Sequence, residues 1–597
     1  MASIPMDRPS ASGEVERPMA RWPASPRIGR LELLGAALAG VALALVTTWP
    51  LALHLPSRIA PDLGDPVRTA WQIAWVGHAL VHHPMHLFDS NAFYPNPLSL
   101  AFSDSLLGYG PTALLGSGTV AALVRYNLLF LLAWALCFFG AWMLARELGL
   151  GRIGAAAAGA AFAYAPYRVT EAGHLHVISS GGIPLSLFLL LRGYRRRSRA
   201  LLLAGWALAA WQISLGFTLG LQFAYLMGVL ALLAAIWWMR KRRPRPLPRE
   251  AVLITCVGIA LCAAVSVYEA RPYLKVASDY PTAKRTLKEV KTYSAGPWAW
   301  VAASSENRVW GSLTAGARAH VSSKNEDVLF PGATILALVL VGAAAPLYSA
   351  RLRIGLLCGA VVCSVLALGF GLTAGGWPYR LLYDIAPGWN GVRVPARVFT
   401  LATLSFALLA GAGAQQLARL GRAWGARHGP HWRDGLPALT GAIVVIGLVG
   451  EGAGHMAHPV VPQPARAEVG LPAPILDLPA DGAADRIWQY FSTDGFPTIA
   501  NGNSTFDLPS QDDLRGGMSG FPDRASVEKL RWYGIRTVVL HLRRPALPPL
   551  HYSTPEPPDP AAAAARPIAG LGVARRRVGD VVIYTIGSGP KALHASD

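Results

Sequence analysis

The chain is 597 residues long, with 53% hydrophobic residues, 15% charged residues and a mean hydropathy of +0.35. That balance excludes a soluble enzyme of this length. Repeated apolar runs near the ~20 residues that cross ~30 Å of hydrocarbon define an α-helical polytopic membrane protein instead. The formal charge of +20 does not indicate a nucleic-acid binder. The arginines are bunched in short segments between apolar runs, where cytoplasmic retention and contact with anionic membrane lipid account for them.

Taken in order, residues 1–30 read as a disordered cytoplasmic arm with Arg17, Arg21, Arg27 and Arg30 close to the membrane. The apolar run at 31–53 has no clear cleavage site and reads as a retained signal-anchor, the first span. An external loop, 55–125, follows. Pro66 suits the first turn of a helix and makes Asp65 its natural N-cap. The spacing of Trp71, Ile73, Trp75 and Leu80 gives that helix an aromatic side, as expected of one lying at the headgroup level. Residues 106–124 are apolar but carry Gly108, Gly110, Pro111 and Gly116. Counting them as a crossing would invert every later basic loop, so they read as juxtamembrane or re-entrant.

Spans are then expected at about 126–144 and 153–164, in a fourth segment returning to the arginines at 192–197, and at 201–216, 217–238 and 251–268. A second external loop, 269–329, precedes spans at 330–348, 354–372, 398–417 and 436–450. The total is about eleven, with the N-terminus cytoplasmic and the C-terminus outside, in an inner (plasma) membrane. Residues 31–453 therefore form a transmembrane domain. Beyond 454 the composition turns to Pro, Asp, Ser and Gly, and 537–542 and 581–586 read as strands, giving a small extracytoplasmic α/β appendage over 454–597 with a Pro-rich loop at 547–560.

All five cysteines (Cys137, Cys256, Cys262, Cys358, Cys363) fall in apolar runs, with no C-x-x-C pair and no disulfide framework. The Walker loop, H-E-x-x-H and G-x-S-x-G are absent, and no G-x-G-x-x-G follows a strand.

The residues that could carry chemistry lie in the external segments. Asp65 follows the first span in a turn shaped by Gly64 and Pro66; a helix cap worth ~1 kcal/mol explains it, and so does a catalytic base. Asp62, Asp89 and Asp104 share the loop, and Asp104 is the second candidate base. Arg168, Glu171, His174 and His176 stand at the outer end of the third span. At i, i+2 the two histidines would not share a helical face, so no metal site is read there. Arg393 and Arg397 precede an inward-going span and, as arginines retained outside, suit a phosphate. Lys284, Arg285, Lys288 and Lys291 read as a solvated helix face.

Several segments carry a resemblance to a family. Gly64-Asp65-Pro66 with Trp71 and Trp75, Asn91-Ala92-Phe93-Tyr94-Pro95, Ser103-Asp104-Ser105-Leu106-Leu107-Gly108, Ala165-Pro166-Tyr167-Arg168 with His174, and Arg393-Val394-Pro395-Ala396-Arg397, set in the multi-span layout of 31–453, resemble a bacterial branch of the GT-C superfamily of integral-membrane glycosyltransferases. The resemblance implies an inverting hexosyl or pentosyl transferase. A polyprenyl-phosphate sugar would be the donor and a cell-envelope glycan, lipid or protein the acceptor. Asp65 would be the base, Arg393 and Arg397 would hold phosphate, and Arg168, His174 and His176 would shape the site. It fixes no cofactor, leaves room for a divalent metal, and carries nothing over to the tail. Two other classes, a transporter or flippase of a lipid-linked anion and a non-catalytic scaffold, fit a polytopic chain. The first needs ionisable residues at mid-membrane, and the spans hold almost none.

Overall fold

The computed structural model describes residues 25–240, 248–324, 326–372, 374–543, 547 and 558–587. Most of the expected N-terminal arm, the basic run at 241–243 and most of the Pro-rich loop lie outside the described residues.

Eight described helices are long and apolar enough to cross a membrane: Arg30–Thr47, Gly118–Glu147, Leu175–Arg196, Phe217–Ile236, Arg249–Asp279, Ala350–Ala367, Pro395–Gly425 and Pro430–Glu451. Three of the eleven expected crossings form shorter helices, Arg152–Ala163, Arg199–Ile213 and Ala333–Ala344. Twelve residues reach only ~18 Å at 1.5 Å per residue. Length and composition thus support eight crossings among the described residues.

Side-chain size explains which helices lie inside. Arg152–Ala163 is largely Ala and Gly, and it packs on Phe399–Gly425 so closely that a Cβ at Gly411 would stand 2.5 Å from the Gly154 carbonyl oxygen. Small residues let backbones approach where lipid supplies no hydrophobic drive. Together with Gly118–Glu147 these helices form the bundle centre, whereas Arg249–Asp279 keeps most of its apolar surface outward, as a lipid-facing helix would.

After the Asp65–His82 helix the first loop runs through short 3-10 turns, among them Leu107–Leu114, in line with a juxtamembrane segment, but residues 118–125 open the membrane-length helix Gly118–Glu147, which starts earlier than the expected 126.

Beyond Glu451 the chain builds a mixed sheet of β1 (Ile475–Leu478), β2 (Thr537–His541), β3 (Val573–Val578) and β4 (Val581–Ile586), in the order β1-β2-β4-β3. β1 and β2 are parallel, with Leu476 opposite Val538, and the other pairs are antiparallel, with Val539 opposite Ile583. The edge strand β3 carries Arg575, Arg576 and Arg577, all exposed, a charged edge that discourages further pairing.

This sheet is not an appendage. Ile499 N donates to Asn91 O (2.7 Å), Phe93 N to Asn501 O (3.1 Å) and Thr505 N to Phe102 O (3.1 Å), so the first loop and the C-terminal region are tied by backbone bonds. They also share one hydrophobic core that includes Trp71, Trp75, Phe93, Phe102, Ile475, Val539 and Val581. The two tryptophans expected at the headgroup level are therefore inside the protein. Trp71 Nε1 donates to Asn91 Oδ1 (3.0 Å) and Trp75 Nε1 to Leu87 O (2.9 Å). An indole suits a wet interface and a core with one polar partner equally well, which is why sequence could not separate the two.

Candidate active site

The helix that carries Asp65 starts at that residue, with Gly64 in the N-cap position and no side-chain cap bond. The Asp65 carboxylate is turned instead toward cations. Its Oδ2 lies 3.0 Å from Arg68 Nη2, one turn along the same helix, and 3.8 Å from His174 Nε2. Its Oδ1 lies 3.3 Å from Arg486 Nη2, which arrives from the helix Ala484–Phe491 of the C-terminal region. The side chain remains 27% exposed. Burial on its own would raise this carboxyl, but Arg68, Arg486, His174 and His176 overcome it and hold it well below the usual carboxylate range.

His174 is held from behind. Its Nδ1 is 3.0 Å from Glu171 Oε2, and Tyr167 Oη donates to the other Glu171 oxygen at 3.5 Å. Burial would lower this imidazole, yet the bond to the Glu171 carboxylate carries it above its ordinary value. Glu171 itself, fully buried, is pushed up by desolvation and brought below its usual range by His174.

A second carboxylate–imidazole pair stands alongside. Asp104 Oδ2 is 3.4 Å from His176 Nε2, and Asp104 Oδ1 accepts the Phe217 N–H (2.8 Å) at the start of a membrane helix. Asp104 thus caps a helix across space, not the next one in sequence. The His174 and His176 rings are 5.8 Å apart, edge to face. Being i, i+2 separates them on an ideal helix, but the chain bends here through a 3-10 turn at Glu171–Gly173 into the four-residue helix Leu175–Ile178.

From His176 the cluster continues to the two outer arginines. Arg397 Nη1 is 3.2 Å from His176 Nε2, Arg397 Nη2 is 3.6 Å from Glu326 Oε2, and Arg393 Nη2 is 3.7 Å from Glu326 Oε1. Arg393 also lies 4.8 Å over the Tyr293 ring. Next to Glu326, burial and that neighbouring charge push the Asp327 carboxyl up to about 7.

Asp65, Asp104, His174, His176, Arg393 and Arg397, singled out from separate stretches of sequence, thus form one chain of contacts. Arg168 is not brought to it. Fully buried, it donates to Ser180 Oγ (2.9 Å), Ile178 O (2.8 Å) and Cys137 Sγ (3.2 Å), and its guanidinium stands 5.5 Å from the Trp134 ring centroid. It braces the segment that presents the histidines.

Four participants were missed by the sequence reading: Arg68, Glu326, Arg486 and Asn503, whose amide oxygen accepts from Arg68 and Arg486. Arg68 sits three residues from Asp65, a spacing that carries a readable pairing signal. The other three carry none.

Asp65, Asp104, His174 and His176 offer the oxygen and nitrogen donors that divalent cations take, but as two pairs. Among the described residues, the ligand atoms that converge within 4.8 Å of one another belong to Glu468, Asp477 and His541 in the C-terminal region. There His541 Nε2 is 2.9 Å from Asp477 Oδ1, and its ring stacks on Trp488. A cavity of about 340 Å³ lined by Gly77, His78, Arg125 and Phe496 lies beside the same helix as Asp65. Its helical positions, 74, 77, 78 and 81, fall on the face opposite 65, 68 and 72.

The bundle and its loops share the fold of a solved membrane protein, the arabinofuranosyltransferase AftD. The chain superposes on arabinofuranosyltransferase AftD from Mycobacteria with a TM-score of 0.55 at 18% identity, covering 96% of this chain and 41% of AftD. A mutant form of AftD gives 0.54 at 16% identity, covering 95% and 42%. The chain therefore spans less than half the length of the protein it matches. An oligosaccharyltransferase from Archaeoglobus fulgidus matches more loosely, at a TM-score of 0.44 and 12% identity over 86% of this chain and 70% of that one. No protein-family model and no curated protein matches the chain.

Proposed function

We propose that this protein is an inverting membrane glycosyltransferase that moves a sugar from a polyprenyl-phosphate carrier to an extracytoplasmic acceptor, with Asp65 accepting the acceptor's proton. The observation that carries the reading is the placement of a partly exposed, ionised carboxylate within one run of contacts that ends in two arginines. A phosphate leaves without a general acid, so one base and a phosphate clamp make a sufficient site.

Asp65 is a weak base while three cations surround it. As the new C–O bond forms, however, the attacking hydroxyl becomes an oxonium, a strong acid, and an anion of low basicity suffices to take its proton. His174, backed by Glu171, faces the Asp65 Oδ2 oxygen. Arg393 and Arg397 meet Glu326 at 3.6–3.7 Å, longer than a tight charged hydrogen bond. A phosphate bearing more charge competes well for both guanidinium groups. Asp104, fixed by the Phe217 N–H, orients His176 toward the same phosphate.

The charge bias of the connecting segments supports a cytoplasmic N-terminus and an external site in a bacterial inner membrane. Eleven crossings result if the three short apolar helices span as part of the bundle. AftD's activity, arabinofuranosyl transfer, supports a pentose as one sugar to try.

The test is incubation of purified protein with radiolabelled polyprenyl-phosphate hexoses and pentoses and an envelope extract as acceptor. Label passing to the acceptor, with the opposite anomeric configuration, is the expected result. No transfer from any donor, with the protein folded, overturns the reading.

A further inference from the structure

The C-terminal region reaches the reacting carboxylate through a short polar joint. Asn503 Oδ1 accepts from Arg68 Nη1 (2.9 Å) and from Arg486 Nε (3.0 Å), so one amide oxygen ties together the two arginines that hold Asp65. Asn503 is itself fixed, its Nδ2 donating to Gly482 O (2.9 Å) and its backbone N–H to Gln489 Oε1 (3.1 Å). A neutral acceptor suits this place. A carboxylate would draw both guanidinium groups away from Asp65, and an aliphatic side chain would leave buried N–H groups unpaired.

The approach is built for closeness. A Cβ at Gly502 would lie 2.3 Å from the Phe93 ring, so a larger residue there would displace the ring, and a Cβ at Gly64 would stand 2.9 Å from Arg486 Nη1, so a larger residue there would push the guanidinium aside. The helix bearing Arg486 is anchored in the membrane bundle's own core through Ala484, Ile487, Trp488 and Tyr490, and Tyr490 Oη donates to Thr119 O (2.9 Å).

We infer that the C-terminal region completes the reaction site, with Arg486 as the positioning residue for Asp65 and Asn503 as the joint that sets Arg486. The inference rests on the glycosyltransferase reading above. Oδ2 is held by Arg68, within the first loop, and by His174, whereas among the described residues Oδ1 is held by Arg486 alone. Removing Arg486 frees the carboxylate to rotate about its own bond, and with it the oxygen that receives the proton. The charged groups facing Asp65 are Arg68 on its own helix, Asp62 in the preceding turn, His174 and His176 from the adjoining segment, and Arg486 from the C-terminal helix. Losing one cation of this set raises the Asp65 carboxyl, so the acid limb of the rate profile moves to higher pH.

The experiment uses the full-length protein and measures kcat, donor KM and the pH profile of kcat/KM for Arg486→Gln, Arg486→Lys, Asn503→Ala and Asp65→Asn. For Arg486→Gln the expected result is a kcat lower by on the order of 100-fold, a donor KM close to wild type and an acid limb displaced upward. Arg486→Lys keeps the charge and loses the bond to Asn503, so kcat falls less and the limb stays near its wild-type position. Asn503→Ala lowers kcat in the same direction as Arg486→Gln. Should Arg486→Gln not fold, Arg486→Lys and Asn503→Ala decide the matter: wild-type kcat in both overturns the inference. Wild-type kcat and profile in a folded Arg486→Gln, with Asp65→Asn inactive, also overturns it and leaves the function standing. Asp65→Asn turning over at the wild-type rate removes the proposed function of Asp65 itself.

Discussion

Two charge clusters in this molecule are made of the same groups and differ in how completely they are satisfied. One lies at the end of the helix Gly118–Glu147. There Glu147, fully buried, has Arg192 Nη1 at 2.8 Å, Arg195 Nη1 at 3.1 Å and Ser25 Oγ at 2.7 Å. The other is the cluster around Asp65, where Asp65, Asp104 and Glu326 meet their partners mostly at 3.3–3.8 Å and stay partly exposed. Tight, dry contacts describe a joint that holds helices together. Loose, half-wet contacts describe groups that can exchange one another for an incoming ligand. Composition does not tell a structural ion cluster from a reactive one; contact length and water access do.

Substitutions at the two clusters should therefore fail in different ways. Asp65→Asn is expected to lower transfer by about 10²–10⁴-fold with an unchanged melting temperature, checked by single-turnover assay and thermal melting of the same preparation. Glu147→Gln should do the reverse: breaking a buried charge pair costs about 3–5 kcal/mol. The melting temperature drops while turnover per folded molecule holds. A folded, fully stable Glu147→Gln would break the comparison.

Arg397→Gln is expected to raise the donor KM by about 10- to 100-fold, the worth of one charged hydrogen bond to phosphate, with a smaller change in kcat. Initial-rate kinetics over donor concentration check it, and an unchanged KM would count Arg397 with the structural ions.

Glu171→Gln probes pH. The His174 imidazole is raised above its ordinary value through its bond to Glu171, so its charged form is present at low pH and is lost as pH rises through that raised value. The alkaline limb of kcat/KM should lie above the ordinary histidine range in wild type and move down in Glu171→Gln. The stability that the pair contributes disappears over the same rise in pH. Smallest of all, Asp279→Asn in the exposed Lys275–Asp279 pair should leave stability within about 0.5 kcal/mol and activity unchanged.

How much of this was legible beforehand follows from the range of each signal. Apolar run length marked the long membrane helices, whereas the 12-residue helix Arg152–Ala163 is built of small residues for close packing and falls short of the ~20 residues on which that signal relies. The β-branched runs at 537–542 and 581–586 foretold β2 and β4. Asp65, Asp104, His174, His176, Arg393 and Arg397 were picked because polar residues just outside a membrane are few. Arg168 was picked on the same ground, and its burial against Trp134 shows where that ground gives out. Arg486 and Asn503 lie more than 400 positions from Asp65 and carry no spacing relation to it. Only the packing of the C-terminal region on the first loop brings them there, through bonds such as Ile499 N to Asn91 O.

The most direct measurement is a single-turnover comparison of wild type, Asp65→Asn and Asp65→Glu on one lipid-linked sugar that wild type uses, with folding checked for all three. The account predicts transfer lowered by about 10²–10⁴-fold in the asparagine variant and a smaller loss in the glutamate variant. Transfer by the asparagine variant at the wild-type rate would contradict it.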